Sequence, residues 1–132
     1  MEYNILMEKA KEVSKNAYIP YSHFAVGAVL QCQDGNIYTG CNIENASYGL
    51  TRCAEQVAVL KAISEGNKEF MAIAVCSSDK AFPYPCGSCL QILAEFAPDL
   101  TIYLSNGWGA EKEFLLSELL PYAFTLKEKE GK

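Results

Sequence analysis

The 132-residue chain is short of basic side chains, of histidine and of long apolar runs. Its 11 Lys and Arg stand against 16 Asp and Glu, giving a net charge of −5 and a pI near 4.9. That balance is opposite to the basic footprint that phosphate-backbone binding requires, so nucleic acid is excluded as an expected partner. No stretch approaches the roughly 18 apolar residues of a membrane span, which argues against a membrane partner. Met1-Glu2-Tyr3-Asn4 has neither the basic flank nor the apolar stretch of a signal peptide, so a cytoplasmic location is expected. His23 is the single histidine; following Pro20-Tyr21-Ser22, it is expected to make local hydrogen bonds and not to bind metal. Cysteine, with six residues, falls short of the roughly 8–10% typical of a disulfide scaffold. In a reducing compartment these thiols are read first as metal ligands, nucleophiles or small core residues.

Half of the residues are hydrophobic and 20% are charged, enough apolar material to offset the entropy of folding. The length fits one domain, 1–132. Ile5, Leu6, Ala10, Val13 and Ala17 recur at helical spacing, which predicts a helix over 3–17. Phe24 to Cys32 and Ile37 to Ile43, joined by Gln33-Asp34-Gly35-Asn36, predict a hairpin, with Gly40 at a bulge or close approach. A turn-like stretch, Glu44 to Gly49, precedes a helix over 53–64, for which Thr51 is the expected N-cap. Phe70 to Cys76 is a buried-type strand, Gly87 to Phe96 a third helix, Leu100 to Leu104 a further strand, and Phe114 to Leu120 a short helix or turn. The tail from Lys127 is expected to be solvated and frayed. This order predicts an α/β sheet covered by helices on both faces.

Two fragments carry the chemistry: Cys53-Ala54-Glu55 and Pro85-Cys86-Gly87-Ser88-Cys89, each at a helix start. Three positions apart on a helix, Cys86 and Cys89 point to one side, and the helix dipole favours their thiolates. Pro85 suits the entry to such a helix. A C-x-x-C alone is equally a pair of buried thiols or half of a zinc ribbon. With Cys53 as a third thiolate it makes a tetrahedral zinc site with one open corner, the mark of a catalytic and not a structural zinc. Water at that corner becomes ionisable near neutral pH. Glu55, two residues after Cys53, stands where a proton shuttle must; by itself it would be read as a first-turn carboxylate favouring the helix dipole. The layout of a Cys, one residue, a Glu and a later P-C-x-x-C resembles that of the zinc nucleobase deaminases.

From Ala17 to Phe124 the chain resembles the small cytidine deaminases. Tyr21-Ser22-His23-Phe24-Ala25-Val26-Gly27-Ala28, Gly40-Cys41-Asn42-Ile43-Glu44-Asn45-Ala46-Ser47-Tyr48, Cys53-Ala54-Glu55, Pro85-Cys86-Gly87-Ser88-Cys89 and Leu120-Pro121-Tyr122-Ala123-Phe124 match family segments in the family's order. The resemblance implies a three-layer α/β/α fold with a mixed sheet of about five strands. It also implies one zinc per subunit and a homotetramer whose active sites borrow residues across subunit contacts. The implied reaction is hydrolytic deamination of cytidine and deoxycytidine in pyrimidine salvage, with release of ammonia. Cys53, Cys86 and Cys89 match the zinc ligands, Glu55 the proton shuttle, and Asn42 and Glu44 the residues that hold the ribose hydroxyls. Phe24 matches a pocket wall and Ala54 a substrate contact. Ala46, Tyr48 and Phe124 match positions supplied across subunits, Phe124 over the pyrimidine. Read without the family, Asn42 and Glu44 are turn residues and the aromatics are core packing.

Two departures stand out. Many family members carry Arg directly after the catalytic Glu, where this chain has Gln56, which donates hydrogen bonds but brings no charge to a site holding three thiolates. Arg52 is a candidate substitute. Leu90 replaces a polar or basic residue, and the blasticidin S deaminases also lack the Arg, so a modified cytosine nucleoside is the alternative substrate. A zinc-stabilised interaction module would need a fourth ligand that no suitably spaced residue supplies, and a polynucleotide editor is disfavoured by the acidic charge. Cys32, Cys41 and Cys76 are expected as small core residues.

Overall fold

Val26–Cys32 is apolar apart from Gln31, and every residue of it is buried, so it can only be an inner strand covered on both faces. The structure, a computed structural model, describes residues 3–126. In it this strand, β1, pairs antiparallel with β2 (Ile37–Cys41) and with β3 (Phe70–Ser77). Strand β3 pairs parallel with β4 (Thr101–Ser105), which pairs antiparallel with β5 (Glu111–Leu115). The sheet order is β2-β1-β3-β4-β5. A parallel pair needs a crossover, and α3 (Gly87–Phe96) supplies it between β3 and β4.

Helix α1 (Tyr3–Ser14) covers one face of the sheet, where Leu6, Met7 and Ala10 pack on Val29, Ala74 and Cys76. Helices α2 (Ala54–Ser64) and α3 cover the other, in a larger cluster containing Leu30, Val59, Ile73, Leu93, Ile102 and Leu104. These are the three layers and the mixed five-stranded sheet that the resemblance implies. Two glycines let helices approach closely. A Cβ on Gly27 would lie 1.9 Å from the Ala10 carbonyl oxygen of α1, and one on Gly40 would lie 2.3 Å from the Ala54 carbonyl oxygen of α2. Gly40 therefore marks a close approach.

Several boundaries differ from the sequence expectation. The first helix ends at Ser14 and not at Ala17, because Tyr18 leaves to bridge Ile43. Helix α2 is capped by Cys53 and not by Thr51, whose hydroxyl instead accepts from the Asn45 N–H. Strand β5 was not expected: Glu111-Lys112-Glu113 is an exposed, charged edge strand that shows no apolar run. Only Leu116–Leu119, α4, is helical within the expected terminal helix. The 127–132 tail lies outside the described residues. Cys32 and Cys76 are buried and Cys41 is half-buried, consistent with packing roles. His23 adopts φ 59° and its N–H donates to the Ile19 carbonyl.

Candidate active site

Two helix N-termini meet on the α2/α3 side of the sheet. Cys53 and Cys86 are both N-caps, with φ/ψ of −73/156° and −72/168°, and their Sγ atoms lie 4.0 Å apart. The Sγ of Cys86 accepts the Cys89 N–H at 3.4 Å and stands 3.3 Å from the Cys89 Sγ. The three sulfurs all lie within 4.8 Å of one another, and no further His, Cys, Asp or Glu atom joins them among the described residues. Thiolates on a tetrahedral zinc at 2.3 Å would be about 3.8 Å apart, so the arrangement fits that ion with one corner left over.

The surroundings act in opposite directions on two of these thiols. The Cys53 thiol is lowered to about 6, chiefly because the Cys89 and Cys86 thiols hydrogen-bond to its sulfur, with the Arg52 charge adding to the effect. Cys89, which hydrogen-bonds to Cys53 and is buried, is driven in the opposite direction. Gln56 is buried, and its Nε2 donates to the Cys89 Sγ at 3.6 Å. Arg52 instead spends its guanidinium on the Gly49 and Thr51 carbonyl oxygens, at 3.2 and 3.0 Å.

Glu55 is only 4% exposed, and burial raises its carboxyl to about 7, with the Cys53 charge pushing in the same direction. A carboxyl poised near neutrality can both accept and return a proton. It lines a cavity of about 210 Å³ together with Cys53, Cys86, Phe24, Asn42 and Ala54. Asn42 is tied to its neighbours: its Oδ1 accepts the Val26 N–H at 2.9 Å and its Nδ2 donates to the Phe24 carbonyl at 2.8 Å. The amide keeps one N–H and one lone pair to offer a ligand.

Other expected residues lie elsewhere in the single chain. Glu44 and Tyr48 line a neighbouring hollow of about 370 Å³ with Tyr21 and Thr51. There the Glu44 carboxylate accepts from the Tyr21 and Ser22 N–H groups and the Ser22 hydroxyl, which hold it below its usual range. Ala46 is exposed on the adjoining turn. Phe124 is 70% exposed beside a separate groove that includes Leu120 and Pro121, its backbone clasped by the Gln91 side chain. Sequence reasoning missed Pro83 and Tyr84, which also line the cavity. Their one signal was position, immediately before the Pro85-Cys86 ligand segment.

Comparison with known proteins agrees with this geometry. Residues 1–105 match the family model for the cytidine and deoxycytidylate deaminase zinc-binding region. The chain is 48% identical over 129 residues to a cytidine deaminase of Halalkalibacterium halodurans, covering 97% of this chain and 98% of that protein. The crystal structure of cytidine deaminase from Burkholderia pseudomallei superposes with a TM-score of 0.90 at 43% identity, covering 94% of this chain and all of that one. At greater distance, a blasticidin-S deaminase of Bacillus cereus is 30% identical over 128 residues, covering 91% of this chain and 90% of that protein.

Proposed function

The chain belongs to the cytidine and deoxycytidylate deaminase family, and on that footing we propose that it hydrolyses cytidine and deoxycytidine to the uridines and ammonia. The observation that carries this reading is the convergence of three thiols from two helix starts beside a buried glutamate near its half-protonated state. Cys53, Cys86 and Cys89 would hold a zinc ion, which would supply Lewis acidity that makes water nucleophilic at neutral pH. Glu55 takes a proton from the attacking water and delivers it to N3 of the cytosine ring. As the water oxygen bonds to C4, Glu55 takes the remaining proton of that oxygen and passes it to the exocyclic nitrogen; the C4–N bond then breaks, releasing ammonia and leaving the C4 carbonyl of the uridine. The Phe24 ring forms a wall for the base, and Ala54 lines the floor of the cavity beside Glu55. Asn42 and Glu44 hold the ribose hydroxyls through the hydrogen-bonding capacity their local contacts leave free.

We further propose that the protein works as one catalytic domain in a homotetramer, with Ala46, Tyr48 and Phe124 completing a neighbour's site. Supporting this, Tyr48 and Phe124 are 77% and 70% exposed, apolar surface that an isolated chain would leave in water. A cytoplasmic role in pyrimidine salvage is consistent with six free cysteines, three of them needed as reduced ligands.

The test is the loss of cytidine absorbance on conversion to uridine, followed before chelation, after it, and after return of zinc. Activity that disappears and recovers supports the reading; turnover that survives complete metal removal overturns it. Gln56 in place of Arg, together with the similarity to a blasticidin-S deaminase, favours one alternative substrate. Comparing kcat/KM for blasticidin S and cytidine decides between the two.

A further inference from the structure

One wall of the cavity carries a phenol that the proton chemistry does not use. Tyr84 stands two residues before Cys86, between the buried Pro83 and Pro85, and with Pro83 it lines the same cavity as Glu55. The flanking prolines restrict the backbone, but the ring is 51% exposed and needs a separate restraint to keep one rotamer. Strand β5 provides it. Lys112 pairs with the fully buried Leu104 in register, and alternation along the strand puts it on the same face as Phe114, which packs on the α2/α3 core. From there its Nζ donates to the Tyr84 Oη at 2.5 Å. The ammonium also lies 4.6 Å from the Phe82 ring centroid and 5.2 Å from that of Tyr84, a cation–π arrangement on both. The Tyr84 ring is packed 6.0 Å from Phe82 and 6.2 Å from Phe114.

Resting on the deaminase reading above, we propose that Tyr84 is a specificity-determining residue and Lys112 its positioning residue. Lys112 pins the ring as a fixed wall of the base pocket, and that wall excludes cytosine nucleosides enlarged beside the amine-bearing carbon. The reasoning is steric. The amine must approach Glu55 and the thiols, Tyr84 is tethered two residues from one of those thiols, and a wall held there meets a substituent on the neighbouring ring carbon first. A free ring would swing aside and discriminate weakly; a pinned one cannot.

The test compares kcat/KM for cytidine and for 5-methylcytidine, because their ratio is insensitive to a general loss of folded enzyme. A single methyl group excluded by a rigid wall is worth about 10-fold or more in this ratio. Tyr84→Ala should therefore relax the preference for cytidine by about 10-fold. Tyr84→Phe, which loses only the hydroxyl, and Lys112→Met, which keeps the stem and loses the charge, should each relax it by about 3-fold. The Tyr84→Phe/Lys112→Met double variant should relax it no further than either single variant, and Lys112→Arg should restore the wild-type ratio. A wild-type ratio in Lys112→Met, or effects of Tyr84→Phe and Lys112→Met that multiply, would overturn the proposal. Failure of the wild-type zinc protein to deaminate cytidine at all is a different result, and would overturn the function on which this inference rests.

Discussion

Cys53 at the start of α2 and Cys86 at the start of α3 cap their helices in nearly the same backbone conformation, yet the two helix starts do different work. The α2 start is sunk into the protein: Ala54, Glu55 and Gln56 are all buried, and Gly40 lets the helix rest on β2. The α3 start lies at the surface, with Cys86, Gly87 and Ser88 exposed and only Cys89 turned inward. Thus α3 contributes two sulfurs and no acid, whereas α2 contributes one sulfur and the carboxyl that burial brings to about 7. The difference teaches that an exposed helix start can bring thiols together, whereas raising a carboxyl toward neutrality, against the pull of the helix dipole, requires desolvation.

The strongest way to break this division is to remove the inward sulfur of α3. Cys89→Ala should leave less than about one tenth of an equivalent of zinc per subunit and no turnover above background, read by elemental analysis and ammonia release. Next, Glu55→Gln should keep the zinc but lower kcat by about 10²–10⁴, since it removes the proton carrier and spares the sulfurs. Retained turnover would show that the buried acid of α2 is not the shuttle. The seating of the two helices separates them on a smaller scale. Gly40→Ala forces a methyl group into the Ala54 carbonyl and should cost about 1–3 kcal/mol, seen as a lower Tm. Gly87→Ala, with open space around its Cβ, should leave Tm unchanged or raise it by up to about 1 kcal/mol of stability. A smaller effect still is expected from Gln56→Ala, which removes one N–H···S contact worth about 0.5–1.5 kcal/mol and should speed zinc loss to a chelator severalfold. Arg52→Gln should change that rate less, because its guanidinium is engaged by backbone oxygens.

The elements most legible in the sequence were those whose apolar pattern is continuous or periodic. Strand β3 and helix α3 were expected within a residue of where they occur, because Phe70 to Cys76 and Gly87 to Phe96 are bounded by clear breaks. Strand β5 was illegible for the complementary reason: an edge strand with Glu111, Lys112 and Glu113 exposed carries its identity in pairing to β4, not in its composition. Glu44 shows a similar limit at the site. Its residue type suits a hydroxyl contact, but its carboxylate also closes the turn at 21–22, and no local pattern announces that second task. Tyr84 was missed because the residue that holds it is 28 positions away on a strand the sequence did not reveal.

What the residues determined unaided was the kind of chemistry available: three soft sulfur donors, one carboxyl close in sequence to the first of them, and a net charge of −5. Those properties belong to side-chain type and short spacing, which survive without a fold. Tertiary structure alone decided that sulfurs 33 residues apart meet at 4.0 Å. It also decided that Glu55 is dry enough to hold a proton near neutrality and that a lysine on the sheet edge reaches the cavity wall. Distance across the chain and exclusion of water are set by how helices settle on a sheet, and that depends on the packing of the whole core.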